Sequence, residues 1–199
     1  MTMTKSNMEL LRKIESNDPG LNVASLAMDE FPGLEFIKNL VMAMNMNTFI
    51  KSLRMDSNYL DDECLAELSH IRCPSLISLS LQNNKFTSRG VVDIVKIPQL
   101  RVINISYNAV DDEGAIALSR MDALEHLNIS FNSIGNRGVT ALLGNRSIQN
   151  LEMEGNVFDE KGLESVFQNH TLFSIHARNN NISRVYNQKV KDHVATHRK

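Results

Sequence analysis

Between residues 50 and 182 the chain repeats one spacing six times. An apolar residue is followed by two variable ones, an apolar, one variable, an apolar, two variable, an asparagine, one variable and a last apolar residue. The copies occupy 50–60, 76–86, 100–110, 124–134, 148–158 and 172–182, so their starts lie 26, 24, 24, 24 and 24 residues apart. A weaker copy opens at Leu21 and runs through Ala24, Leu26, Asp29 and Phe31, with aspartate in place of asparagine. Such a period restricts the chain to a stack. Each copy forms one small unit that cannot bury its apolar side alone and packs it against the next copy.

Within each copy the fourth and sixth positions flank a polar residue, as in Ile103-Asn104-Ile105, which is the period of a strand with one buried face. Stacked copies then make a parallel sheet with strands about 4.8 Å apart. The asparagine comes where the chain must turn out of the strand. Its amide can bond backbone groups of its own and the adjoining coil that burial would otherwise leave unpaired. Asn58, Asn84, Asn108, Asn132, Asn156 and Asn180 therefore read as a structural ladder rather than as catalytic groups. The rest of each copy reads as a short helix, with Asp111-Asp112-Glu113 placing carboxylates at a helix N-terminus. Gly90, Gly114, Gly138 and Gly162 recur where the helix approaches its neighbour, and Cys64 holds that place in an earlier copy. Cys64 is thus read as a small packing residue, not a reactive thiol.

The spacing resembles the leucine-rich repeat signature LxxLxLxxNxL over residues 21–182. The helical second halves, with Gly-Ala-Ile-Ala-Leu at 114–118, resemble the ribonuclease-inhibitor-like subtype. The 24-residue period resembles the GALA-type repeats of secreted effectors of intracellular bacterial pathogens. The resemblance implies an α/β fold: a right-handed leucine-rich-repeat solenoid of about seven coils, its parallel sheet concave and its short helices convex. One domain is expected over 1–199, with a cap helix in 1–20, repeats over 21–182 and a second cap helix in 183–199. Met8, Leu11 and Ile14 at helical spacing should form the first cap, with the Met42, Met44 and Met46 stretch filling gaps in the core beside it. Val185, Tyr186, Val190 and Val194 should carry the last helix.

A formal charge of -2 predicts no general pull toward nucleic acid or an anionic membrane. The two cysteines, Cys64 and Cys73, form no metal-spaced pair, so no cofactor or metal is expected, and two thiols fit a reducing compartment. Asn-x-Ser/Thr sequons at Asn104, Asn128, Asn145, Asn169 and Asn181 fit poorly with a secretory pathway, because several fall on or beside strands. Residues 1–16 lack the apolar core of a signal peptide, and no run approaches a membrane span. The expected location is the cytoplasm, or a host cell reached without a Sec-type signal peptide.

A protein partner at the concave face, bound by a chain that is monomeric when free, is what the resemblance implies. The third, fifth, seventh and eighth positions of each copy should face that partner. They nominate Arg54, Asp56, Gln82, Asn104, Tyr107, His126, Asn128, Phe131, Glu152, Glu154, His176 and Arg178. Tyr107 and Phe131 hold equivalent places in adjacent copies and should lie side by side, as an interface hot spot requires. Arg54 and Asp56 on one side, and Glu152, Glu154, His176 and Arg178 on the other, would orient the partner. Glu152 and His176 should also be neighbours, the raw material of acid–base chemistry, but no nucleophile, metal cluster or phosphate-cradling loop accompanies them. The leading reading is a binding module that masks or inhibits a protein, as a bacterial effector or effector regulator. The alternative is a cytoskeletal or small-GTPase regulator of tropomodulin-like or Ran-GTPase-activating type, and an enzyme ranks behind both. From Arg184 onward five Lys/Arg stand against Asp192, read as a solvated helix end, with an acidic partner or lipid surface as the alternative.

Overall fold

The computed structural model describes residues 5–26 and 33–196; Asp29 and Phe31 of the weak copy, and Arg198 and Lys199, lie outside them. Among the described residues, seven three-residue strands pair in chain order in one parallel sheet: β1 (Val23–Ser25), β2 (Ser52–Arg54), β3 (Ser78–Ser80), β4 (Val102–Asn104), β5 (His126–Asn128), β6 (Asn150–Glu152) and β7 (Ser174–His176). Equivalent repeat positions pair throughout, so Leu79, Ile103, Leu127, Leu151 and Ile175 form one buried row. Helices α1 (Lys5–Glu15), α2 (Gly33–Met46), α3 (Asp62–Leu68), α4 (Ser88–Ile94), α5 (Asp112–Leu118) and α6 (Asn136–Gly144) precede a 3₁₀ helix at Glu160–Gln168 and a final α7 (Arg184–Ala195). Each coil thus sets a strand on one side and a helix on the other, in a right-handed solenoid. Helices need about 10 Å of spacing and strands only about 4.8 Å, so the sheet side is the concave one.

The apolar positions of the repeat supply the core. Leu100, Ile103, Ile105 and Val110 are fully buried in one coil, and Leu124, Leu127, Ile129 and Ile134 take the same places in the next. Helix residues such as Val91, Ile94, Leu118 and Leu142 close the core from the other side. At Gly138 an added Cβ would meet Asp112 Oδ1 at 2.7 Å and Ile134 Cγ2 at 2.8 Å, so the recurring glycine answers close helix approach. Cys64 is buried in the equivalent place, and burial pushes its thiol up to about 12. Cys73 is buried too, its Sγ on Asn47 O at 3.1 Å. Neither thiol should react with iodoacetamide in the folded chain, and both should react in urea. Rapid alkylation of native Cys64 would contradict this packing.

Three polar ladders tie coil to coil. In the first, Asn132 Nδ2 donates to Ile105 O, Ile129 O and Ser130 O at 3.0–3.2 Å, while its Oδ1 accepts from Val110 N at 2.9 Å. Asn84, Asn108, Asn156 and Asn180 repeat this scheme with neighbouring coils, as the spacing predicts. The second ladder stands three residues before the first position in three of the coils, at Asn47, Asn145 and Asn169. Asn145 Oδ1 accepts from Ser147 N and Ile148 N, both at 2.8 Å, and its Nδ2 donates to Ser119 O and Met121 O. Asn169 bonds Thr171 N, Leu172 N and Leu143 O in the same way, and Asn47 bonds Phe49 N, Ile50 N and Ile14 O. The sequons at Asn145 and Asn169 are therefore closed to modification in the folded chain, since both functions of each buried amide are engaged.

The third ladder links helix starts. Asp62 accepts from Thr87 N and Gly90 N of the next coil, and Asp112 accepts from Gly135 N and Gly138 N. Ser88 Oγ bonds the Asp111 carboxylate, and Asn136 Nδ2 that of Asp159. Asp111 is held below the usual carboxylate range, first by Ser88 and then by the amides of Glu113 and Gly114. Asp159 is lowered mainly by the Lys161 amide and Asn136. A carboxylate lowered in the folded state stays charged there while its unfolded counterpart takes up a proton. The associated stability is full at neutral pH and is lost as the pH falls below about 4. The thermal midpoint should be flat from about pH 7 to pH 5 and drop below about 4, with a shallower drop in Ser88→Ala. A midpoint indifferent to pH across that window would contradict the ladder.

Several expectations are corrected. Met8 is exposed while Asn7, Leu11 and Ile14 face inward from α1. Met44 is core, but Met42 and Met46 are 69% and 75% exposed, because α2 buries the stripe Phe36, Ile37, Leu40, Val41 and Met44 and turns the other two outward. Val185 is exposed as well; α7 packs through Val190 and Val194, with Tyr186 half-buried. The short helix of the copy that opens at 148 is wound as 3₁₀. Among the described residues, no helix is long and apolar enough to cross a membrane.

Candidate functional site

On the sheet face the third and fifth positions of each copy look outward and the fourth looks in. Neighbouring outward side chains bond one another. Asn104 Nδ2 donates to Gln82 Oε1 at 3.2 Å, Asn128 Nδ2 to Glu152 Oε2 at 2.9 Å, and His126 Nδ1 lies 2.9 Å from Asn150 Nδ2. Arg54, His126, Glu152, His176 and Arg178 are exposed, and Gln82, Asn104, Asn128 and Glu154 are half-buried. Residues 104, 128, 152 and 176 form one row in register. Glu152 and His176 are thus neighbours as expected, yet the Glu152 carboxylate takes its hydrogen bond from Asn128. Among the described residues no group of three or more His, Cys, Asp and Glu is placed to hold a metal ion.

The seventh position does not present its side chain uniformly. Ser106 and Ser130 are 2% and 5% exposed, their amides bonded to Asn104 Oδ1 and Asn128 Oδ1. Asp56 is half-buried and holds the next coil, accepting from Ser80 Oγ and Gln82 N, with Arg54 3.5 Å from its other oxygen. Here the chain has begun to leave the strand, so the strict alternation assumed from the sequence no longer applies.

The eighth position turns the chain out of the strand, and it does so with left-handed backbone in six successive coils. Ser57, Asn83, Tyr107, Phe131, Gly155 and Asn179 have φ between 53° and 63°. That turn lets the first five of these N–H groups reach the next coil's seventh carbonyl, as in Tyr107 N to Ser130 O at 2.9 Å and Phe131 N to Glu154 O at 2.7 Å. Glycine and asparagine accept this conformation readily, whereas for other L-residues it costs roughly 1–2 kcal/mol. Tyr107 and Phe131 occupy it nonetheless. Their rings stack at 4.3 Å between centroids with planes 12° apart, and they are 48% and 37% exposed. The Phe131 ring continues over Gly155, where an added Cβ would fall 2.5 Å from Phe131 Cδ1. Gly155 is therefore required twice, by its backbone and by the ring. The aromatic pair forms an apolar ridge on the rim of the sheet, between a bonded Asn83–Ser57 pair on one side and Asn179 on the other.

Two features escaped sequence reasoning. The left-handed rim was signalled by the Asn, Gly and Asn among its residues, a preference diluted by the two aromatics. A basic pocket also lies where α7 meets the last coil, lined by Arg178, Asn179, Ile182, Arg184, Asn187, Gln188 and Lys191. Its helix residues are spaced as one face, which the charge excess after Arg184 only hinted at.

The sequence model described as Leucine Rich repeat matches residues 72–95, 98–119 and 124–143. No curated protein matches the chain. Among solved structures, internalin C2 of Listeria monocytogenes is similar in fold, with a TM-score of 0.64 and 17% identity over 91% of this chain and 86% of that one. Internalin inlF of the same organism gives 0.56 and 17% identity over 88% of this chain and 53% of its own. The tropomodulin C-terminal domain of Caenorhabditis elegans covers 98% of this chain and 93% of that one at 13% identity, but its TM-score of 0.48 supports no inference. The matched segments fall on successive coils of the solenoid, so this chain carries several leucine-rich repeats.

Proposed function

We propose that this chain is a protein-binding module whose concave sheet face and rim dock a folded partner, with the Tyr107–Phe131 stack at the centre of the contact. One observation carries the reading: two exposed aromatic rings, stacked on each other, hold backbone conformations that glycine or asparagine would take at lower cost. Aromatic surface kept against a local preference is the material of an interface hot spot. The surrounding polar rows, with Arg54 toward one end and Glu152, Glu154, His176 and Arg178 toward the other, supply mixed charge to fix orientation.

A photo-crosslinking side chain placed at 107, 126 or 152 should capture one common partner, while the same group at Thr140 on the helix side should not. Capture from Thr140 with none from the sheet face would reject the reading. The finer reading is a bacterial effector, or an effector's regulator, that masks its partner. It rests on the 24-residue period and the 114–118 segment, and a translocation reporter fused to the chain tests it directly.

A further inference from the structure

The geometry points to a phosphoryl-binding site in the pocket between α7 and the last coil, taking a phosphate group carried by the docked protein. The pocket has a volume of about 420 Å³. Arg184, Asn187, Gln188 and Lys191 stand at intervals of three and four residues along α7 and so share one helix face. Arg178 and Asn179, from the end of the sheet, close the opposite wall, and half-buried Ile182 completes the lining. Three cations converge here, and among the described residues no carboxylate lines the space. The acids nearby on the chain are engaged: Asp192 Oδ1 accepts from Gln188 Nε2 at 2.8 Å, and Glu160 Oε1 holds Ser183 N and Oγ at the start of α7. Among the described residues, none of the three cations forms an ion pair within 4.0 Å, whereas Lys189 of the same helix lies over the Phe167 ring.

Arg178, Arg184 and Lys191 together form a set of donors, which suits a ligand made of acceptors. A carboxylate brings one charge and two oxygens. A phosphate monoester brings a charge of about -1.5 to -2 and three strong acceptor oxygens, the better match to three cations. The source of the phosphate follows from position. Asn179 belongs to the same rim row as Phe131, two coils further on, or about 10 Å by strand spacing. A protein seated on the aromatic ridge therefore reaches the pocket. That assignment of the source rests on the docking proposed above, but the site itself does not.

Inorganic phosphate added to the ¹⁵N-labelled protein at neutral pH should shift amide signals of the 178–191 region, with a dissociation constant on the order of 1 mM. Arg178→Gln and Lys191→Gln should each weaken binding about fivefold or more, and Arg146→Gln should not. For a phosphoserine peptide, affinity should rise several-fold between pH 5.5 and 7.5 as the second phosphate proton leaves, with its pKa of about 6. Sulfate, doubly charged throughout, serves as the control for titration of the protein's own groups. No shift up to about 20 mM phosphate, or shifts unaltered in both variants, would overturn the site. A phosphoserine peptide that binds more tightly than its unphosphorylated form supports the protein source. Binding only to vesicles containing a phosphoinositide would overturn it. Because the phosphate titration needs no partner, its failure is distinguishable from failure of the ridge, which Tyr107 and Phe131 variants report.

Discussion

Asn132→Ala is expected to lower the stability of the fold by about 4 kcal/mol and the thermal midpoint by about 10 °C. The amide serves four backbone groups, the carbonyls of Ile105, Ile129 and Ser130 and the N–H of Val110, across two adjacent coils. Each buried polar group left without a partner costs roughly 1–3 kcal/mol, and partial access of water to the turn keeps the total below the simple sum. Asn132→Asp keeps the acceptor but removes the donors and sets a carboxylate against three carbonyl oxygens. It should be at least as damaging at neutral pH and partly relieved in acid, when the carboxyl can donate again. Urea unfolding of both variants measures this. A loss under about 1 kcal/mol for Asn132→Ala would mean the ladder is not what holds the turns.

The aromatic ridge should behave in the opposite way. Tyr107→Asn combined with Phe131→Asn is expected to change fold stability by less than about 1 kcal/mol while weakening the partner complex about thirtyfold, or roughly 2 kcal/mol. The stacked pair contributes about 0.5–1.5 kcal/mol, which its removal forfeits. Asparagine, already present at the equivalent positions 83 and 179, lowers the two left-handed backbone penalties in part, by a comparable total. Those terms nearly cancel in the free chain, so a loss confined to affinity identifies surface kept for binding. Calorimetry against the crosslinked partner, with a melt of each variant, gives both numbers. A double variant that binds normally but unfolds several degrees earlier would show that the rings serve only to pack the turn.

Much of the fold is legible because the repeat is a packing instruction written six times over. Leu79, Ile103, Leu127, Leu151 and Ile175 line up in the sheet because each stands at the same place in its copy. The asparagine ladder and the neighbouring aromatics follow from that register. Other features were hidden for identifiable reasons. Asn145 and Asn169 read in isolation as sequons, and only the approach of the preceding coil's Ser119, Met121 and Leu143 carbonyls makes them structural. Alternation along the strand fails at Ser106 and Ser130 because the strands are three residues long and the chain is already turning. Met42 and Met46 looked like core filler by type, but helical phase alone sets them outside.

Apolar periodicity alone sets the coil, its register and the row of side chains offered outward, since it leaves one way to bury every copy. Tertiary structure decided what those side chains do. Left-handed turns, ring stacking over Gly155 and the meeting of Arg178 with one face of α7 depend on distances between coils. Such distances arise from three-dimensional packing, and a linear pattern does not encode them residue by residue.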